Sequence, residues 1–125
     1  MNQIEIILGP TNTGKTFYAF EQMFSFKNGV FGFPLRLLAR ENYDKACKLY
    51  PINQIALITG EEKIIPPEAK YFFCTVESMP DDFFEFVCVD EIQLASDYER
   101  GHIFTQRLLY SRGEQKTIFL GSLTC

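Results

Sequence analysis

The sequence predicts an α/β fold, a mostly parallel sheet with helices on both faces. Three observations lead there. Short apolar runs of β-favouring residues alternate with longer stretches of helical periodicity. A glycine-rich string, Gly9-Pro10-Thr11-Asn12-Thr13-Gly14-Lys15-Thr16, separates the first strand pattern from the first helix pattern. A later apolar run ends abruptly on two adjacent carboxylates, Asp90-Glu91.

The elements follow in order. Ile4-Glu5-Ile6-Ile7-Leu8 reads as a buried strand near 3–8. A helix is expected over roughly 14–26, with Phe17, Phe20 and Phe24 at helical spacing. A strand near 29–33 leads to a helix over 35–49, whose packing face is Leu35, Leu38, Ala39, Asn42 and Ala46. Strands near 54–58 and 70–74 come next, then a short helix near 76–80. Phe83 to Val89 is strongly apolar, so an interior parallel strand is expected over 84–89. A helix over 100–112 and a strand over 116–121 close the pattern. Pro66-Pro67 and Pro80-Asp81 break the chain between elements, and no repeat or linker interrupts it.

Composition bounds the rest. At 125 residues the chain reads as one domain over 1–125, and 46% apolar content supports a real core. The aromatic complement is unusual, with 13 phenylalanines, 6 tyrosines and no tryptophan. A net charge of −4 gives no global basic field, so any nucleic-acid contact has to be local. No apolar run is long enough to span a membrane, so no membrane partner is expected. Cys47, Cys74, Cys88 and Cys125 are not spaced as zinc ligands; Cys74 and Cys88 read as small core residues. His102, Arg100 and Arg107 read as polar positions on the last helix.

Two strings carry the chemistry. Gly9 to Thr16 fits the phosphate-loop pattern G-x-x-x-x-G-K-[ST]. Backbone N–H groups of such a loop, and of the helix it enters, meet the charge of a triphosphate without bulky side chains. Lys15 would reach the β- and γ-phosphates, and the Thr16 hydroxyl would ligate Mg²⁺. Asp90 and Glu91 would emerge at the C-terminal end of their strand, where open α/β sheets place ligands. Asp90 would hold the magnesium, and Glu91 would orient or deprotonate an attacking water.

Four further strings give the order its meaning: Pro34-Leu35-Arg36-Leu37-Leu38-Ala39, Thr59-Gly60-Glu61-Glu62, Cys74-Thr75-Val76-Glu77 and Asp90-Glu91-Ile92-Gln93. In this order after the phosphate loop, the chain resembles the mitochondrial degradosome-type ATP-dependent RNA helicases of the Suv family, superfamily 2, and their bacterial relatives. The resemblance covers essentially the whole chain, as the first of two RecA-like lobes of a P-loop NTPase. It implies ATP with Mg²⁺, and single-stranded RNA, or DNA, as the bound strand. It implies that Arg36, Thr59, Gly60 and Thr75 contact nucleic acid, with Arg36 on a phosphate at the C-terminal edge of its strand. Gln93 would sense nucleotide from the face toward a partner lobe, and Gly121-Ser122-Leu123-Thr124 would couple hydrolysis to movement.

It also implies a second RecA-like lobe in cis or trans, an exoribonuclease partner, and a bacterial cytoplasm or mitochondrial matrix. On this reading the second lobe is absent from the chain, and no adenine-reading segment precedes Ile4. The arginine finger such a lobe supplies is worth about 10³–10⁵ in kcat in comparable NTPases. The chain alone is therefore expected to bind nucleotide, hydrolyse it very slowly and not unwind.

Other roles stay open. Arg36 could be a solvated charge at a helix start, Thr75 a cap of the short helix, and Glu61 and Glu62 solvent-facing loop acids. Two other readings of the whole remain: a thymidine-kinase-like nucleoside kinase, using Glu91 as base on a sugar hydroxyl, and a non-catalytic nucleotide-binding remnant. The kinase reading lacks the cysteine pairs that family uses for zinc.

Overall fold

The computed structural model describes residues 2–9, 14–90 and 112–122. Its strands are β1 (Gln3–Gly9), β2 (Gly29–Phe33), β3 (Ile55–Ile58), β4 (Lys63–Ile64), β5 (Tyr71–Thr75), β6 (Phe86–Val89) and β7 (Lys116–Ser122). The helices are α1 (Lys15–Met23) and α2 (Arg36–Leu49), with single 3₁₀ turns at Ile52–Gln54 and Val76–Ser78. The strands form one sheet in the order β1-β7-β6-β2-β5-β3-β4. Every pairing is parallel except β3 with β4. The strand that ends on Asp90 is therefore not beside the strand that carries the phosphate loop. β7 lies between them, pairing Gly9 with Ser122 on one side and Val89 with Phe119 on the other.

Strand β2 sits near the middle and is buried throughout. Its alternating side chains feed two cores, as the two-residue period of a strand requires. Phe31 and Phe33 enter a cluster with Phe73, Ile55, Leu57, Cys88, Ile118 and Leu120, and both α1 and α2 pack on that face. Val30 enters the opposite cluster with Cys74, Val76, Met79, Val87 and Phe119. Connections that step from β1 toward β3 run over the first face through α1 and α2. The return from β5 to β6 runs over the second through Val76, Met79 and Phe84. That division is what right-handed crossovers demand. The helix expected over 100–112 lies outside the described residues, except Arg112, which precedes β7 and sits 5.1 Å from the centre of the Phe119 ring.

The aromatic excess fills the first core. Phe31 and Phe33 stack at 4.4 Å, and Phe20 meets the edges of Phe31 and Phe73 at 5.7 and 5.4 Å. Offset and edge-on rings of this kind add to their area burial. Cys74 and Cys88 are buried core residues, as expected.

Several expectations need correction. β1 is not a buried strand. Among the described residues it pairs with β7 alone, and Ile4, Ile6 and Leu8 are 56%, 60% and 53% exposed. α1 ends at Met23, three residues early, because Ser25 and Phe26 donate to the carbonyls of Gln22 and Met23 and tighten the last turn. Its buried face is Ala19, Phe20 and Met23; Phe17 points outward. In α2, Tyr43 joins Ala39, Asn42 and Ala46 inside, while Leu35 is exposed. β6 begins at Phe86, not at 84, and Phe83 is 85% exposed. The expected helix near 76–80 is one 3₁₀ turn. Strand β4 was not foreseen, since two exposed residues carry no periodicity.

Candidate functional site

All six parallel strands end on the same edge of the sheet, and the chain's chemistry is collected there in two halves. On the first half, β1 ends at Gly9 and α1 starts at Lys15. Gly14 caps that helix with φ +82°, a left-handed conformation that side chains disfavour. Its cap position makes no side-chain hydrogen bond, and no acid occupies the first turn of α1. The helix N-terminus thus keeps its partial positive charge for an outside anion. Lys15 is buried and Thr16 half-buried. Pro10, Thr11, Asn12 and Thr13 lie outside the described residues.

Asp90 follows β6 and is 6% exposed. Its backbone N–H donates to the carbonyl of Gly32 at 2.9 Å, which ties the end of β6 to β2. Gly32 leaves room on the other face: a Cβ there would stand 2.6 Å from Met79 Sδ. Two residues back, burial pushes the Cys88 thiol well above its ordinary pKa, and the charge of Asp90 adds to the effect. That thiol is a packed core group, not a nucleophile. Glu91 and Gln93 lie outside the described residues, as do Leu123 and Thr124. The pairing of Ser122 with Gly9 puts the start of the expected coupling segment against the phosphate-loop strand.

Oxygen donors and one cation are what a magnesium nucleotide needs, and this half of the edge offers them. The Thr16 hydroxyl and the Asp90 carboxylate are hard ligands of the kind Mg²⁺ takes. Among the described residues no group of three or more His, Cys, Asp or Glu could hold a metal by itself.

The second half of the edge is a groove of about 490 Å³ beyond the ends of β2 and β5, lined by Pro34, Leu35, Arg36, Gly60, Glu61, Thr75, Glu77 and Ser78. Arg36, Gly60 and Thr75, drawn from three separate strings, meet here. Arg36 is the first residue of α2, not the strand's edge. Thr59 does not line the groove. It is buried, and its hydroxyl accepts from the N–H groups of Glu61 and Glu62 at 3.2 and 3.0 Å, closing the loop. Thr75 precedes the 3₁₀ turn but makes no side-chain capping bond to it. Glu61 and Glu62 are more than solvated acids: Glu61 pairs with Arg36, and Glu62 pairs with Arg40 at 2.7 Å. The spacing of Arg36 and Arg40 one turn apart was visible in the sequence; the loop that meets them was not.

Compared with known proteins, residues 2–121 match the model of the DEXQ-box helicase domain of Suv3. The chain belongs to the Suv3 family of DEXQ-box helicase domains. Its D-E-x-Q string is Asp90-Glu91-Ile92-Gln93, and membership sets aside the nucleoside-kinase reading. The mitochondrial DExH-box ATP-dependent RNA helicase DExH18 of Arabidopsis thaliana is 42% identical over 110 residues, covering 86% of this chain and 14% of that protein. The mitochondrial ATP-dependent RNA helicase SUPV3L1 of Homo sapiens is 40% identical over 107 residues, covering 81% and 13%. The chain thus spans about a seventh of the length of the curated relatives it matches. In fold, this Suv3-family domain is similar to the helicase domain of Hef from Pyrococcus furiosus, with TM-score 0.67 and 17% identity over 98% of this chain and 30% of that one. An arterivirus nonstructural protein 10 helicase, solved with DNA, gives TM-score 0.66 at 16% identity, covering 97% and 30%. The fold is the RecA-like fold of helicase domains.

Proposed function

We propose that this domain is the ATP-binding first lobe of an ATP-dependent RNA helicase working in mitochondria, where its named relatives work. The observation that carries the reading is the shared edge. Buried Lys15 behind left-handed Gly14, and buried Asp90 two strands away, occupy one half; Arg36, Gly60 and Thr75 line a groove on the other. A nucleotide and a nucleic-acid strand could then act on one rigid sheet.

Lys15 places its ammonium against the β- and γ-phosphates, and the uncapped start of α1 receives their charge. Thr16 and Asp90 would hold the magnesium, which would supply charge neutralisation to the phosphates. Glu91 orients the water, and Gln93 reports the state of the nucleotide to a second lobe. Arg36 and Thr75 grip the strand through its phosphates, a mode that positions without reading sequence. Single-stranded RNA is the expected ligand, with DNA the alternative.

Calorimetry with a non-hydrolysable MgATP analogue tests this, comparing wild type with Lys15→Ala in the presence and absence of single-stranded RNA. Micromolar binding, lost at least tenfold in the variant and strengthened by RNA, supports half of an RNA-coupled motor. Binding indifferent to Lys15 overturns the site. Binding indifferent to RNA leaves a nucleotide-binding module without the coupling proposed.

A further inference from the structure

The groove is not empty of anions: its arginine already has one. Arg36 donates to the Glu61 carboxylate, and the two side chains are 48% and 68% exposed. The loop that presents Glu61 is closed on itself. The N–H of Thr59 donates to the carbonyl of Glu62 at 2.8 Å, and its hydroxyl accepts from the N–H groups of Glu61 and Glu62. Glu61 and Glu62 therefore stand on a fixed turn and face α2 one helical turn apart.

The two pairs are not equivalent. Arg40 is held by Glu62 at 2.7 Å and by Asp44 at 3.3 Å, lies 5.7 Å from the centre of the Tyr43 ring, and does not line the groove. Arg36 and Glu61 both line it, beside Gly60 and Thr75. We propose that Glu61 is a built-in competitor for the strand: it occupies Arg36 until a nucleic-acid phosphate displaces it, while Glu62 anchors the same loop through Arg40. This rests on reading the groove as the nucleic-acid face.

The energetics suit an exchange. An exposed ion pair is worth little, because solvent screens it and two long side chains lose freedom to form it. A phosphate is a better, bidentate acceptor for a guanidinium. A strand can therefore take Arg36 at small cost, and a carboxylate held a turn away returns when the strand leaves. A grip that must be released at every step of a motor benefits from such a substitute.

Fluorescence anisotropy with a labelled oligouridylate tests the proposal on the wild-type chain and on Arg36→Ala, Glu61→Gln, Glu62→Gln and the Arg36→Ala/Glu61→Gln double variant. Glu61→Gln should tighten binding by about two- to fivefold, the scale of an exposed pair. Arg36→Ala should weaken it, and the double variant should match Arg36→Ala. Glu62→Gln should lower the Tm without tightening binding. If Arg36→Ala weakens binding but Glu61→Gln leaves it unchanged or weaker, Glu61 is idle or positions Arg36, and the competitor role is wrong. A gain that survives in the double variant is a general charge effect and overturns it equally. If the wild type does not bind, or Arg36→Ala changes nothing, the groove reading itself fails and takes this proposal with it.

Discussion

Gly14 and Gly32 are constrained for opposite reasons, and substitution separates them. Gly14 has φ +82°, and among the described residues nothing lies within 4 Å of where a Cβ would go, so its constraint there is backbone conformation. Gly14→Ala should cost about 1–2 kcal/mol, the penalty of a side chain in the left-handed region. A lower Tm and weaker nucleotide binding in calorimetry should appear together, because the same turn shapes the loop. Gly32 is held by contact: its Cβ would sit 2.6 Å from Met79 Sδ. Gly32→Ala should cost about 1–3 kcal/mol by overpacking. Adding Met79→Ala should recover part of that loss in denaturant melts, a rescue not available to Gly14. Tyr43 offers a pH test. Burial first, then a hydrogen bond with Cys47, pushes its hydroxyl up to about 12 from 10.0. Below pH 10 folded and unfolded chains both keep the proton, and the contribution is whole. Above it the unfolded chain releases the proton first, so stability should fall as pH rises from about 10 to about 12. Tyr43→Phe should flatten that limb of the curve.

At the scale of elements, the starts of β2 and β6 are joined by a side-chain latch. Asn28 Oδ1 accepts from the Glu85 N–H at 2.7 Å, its Nδ2 donates to the Phe83 carbonyl, and Glu85 Oε1 accepts from the Lys27 N–H at 2.9 Å. The same stretch supplies carbonyls to the turn before β7, with Glu114 donating to Phe84, and Gln115 and Lys116 to Glu85. This explains why β6 starts late: residues 83–85 spend their backbone groups on loops rather than on the ladder. Asn28→Ala should cost about 1 kcal/mol, chiefly by leaving the half-buried Glu85 N–H without its partner, and hydrogen exchange should rise at Glu85 before it rises at Cys88. The apolar run from Phe83 showed that a strand lay here. Its boundary was not legible, because the latch residue is 57 positions away from its partner Glu85.

For the whole molecule, charge limits how the strand is held. A net −4 and pI near 5.0 oppose a polyanion at neutral pH, so binding depends on a few local cations. Anisotropy titrations across salt should give a shallow slope of log K against log salt, about −0.7 for each phosphate neutralised on a single strand. Arg36→Ala should reduce that slope by about one such step. A steep slope unaffected by Arg36→Ala would mean that the strand runs elsewhere on the surface.

Local pattern alone determined the succession β1, α1, β2, α2, β3, β5, β6 and β7, and it marked the phosphate-loop string and the carboxylate pair. Those signals depend only on which residues are neighbours in the chain. Gly14 before Lys15 predicts its own turn, and the run into Asp90 predicts its own strand. Tertiary structure decided what depends on strand order. Placing β7 between β1 and β6 made β1 an edge among the described residues and separated Gly9 from Asp90 by a strand. Bringing the ends of β2, β3 and β5 together set Glu61 against Arg36, 25 residues earlier, and turned Thr59 inward. No periodicity records such meetings, because they arise from packing three parallel strands whose ends share one edge.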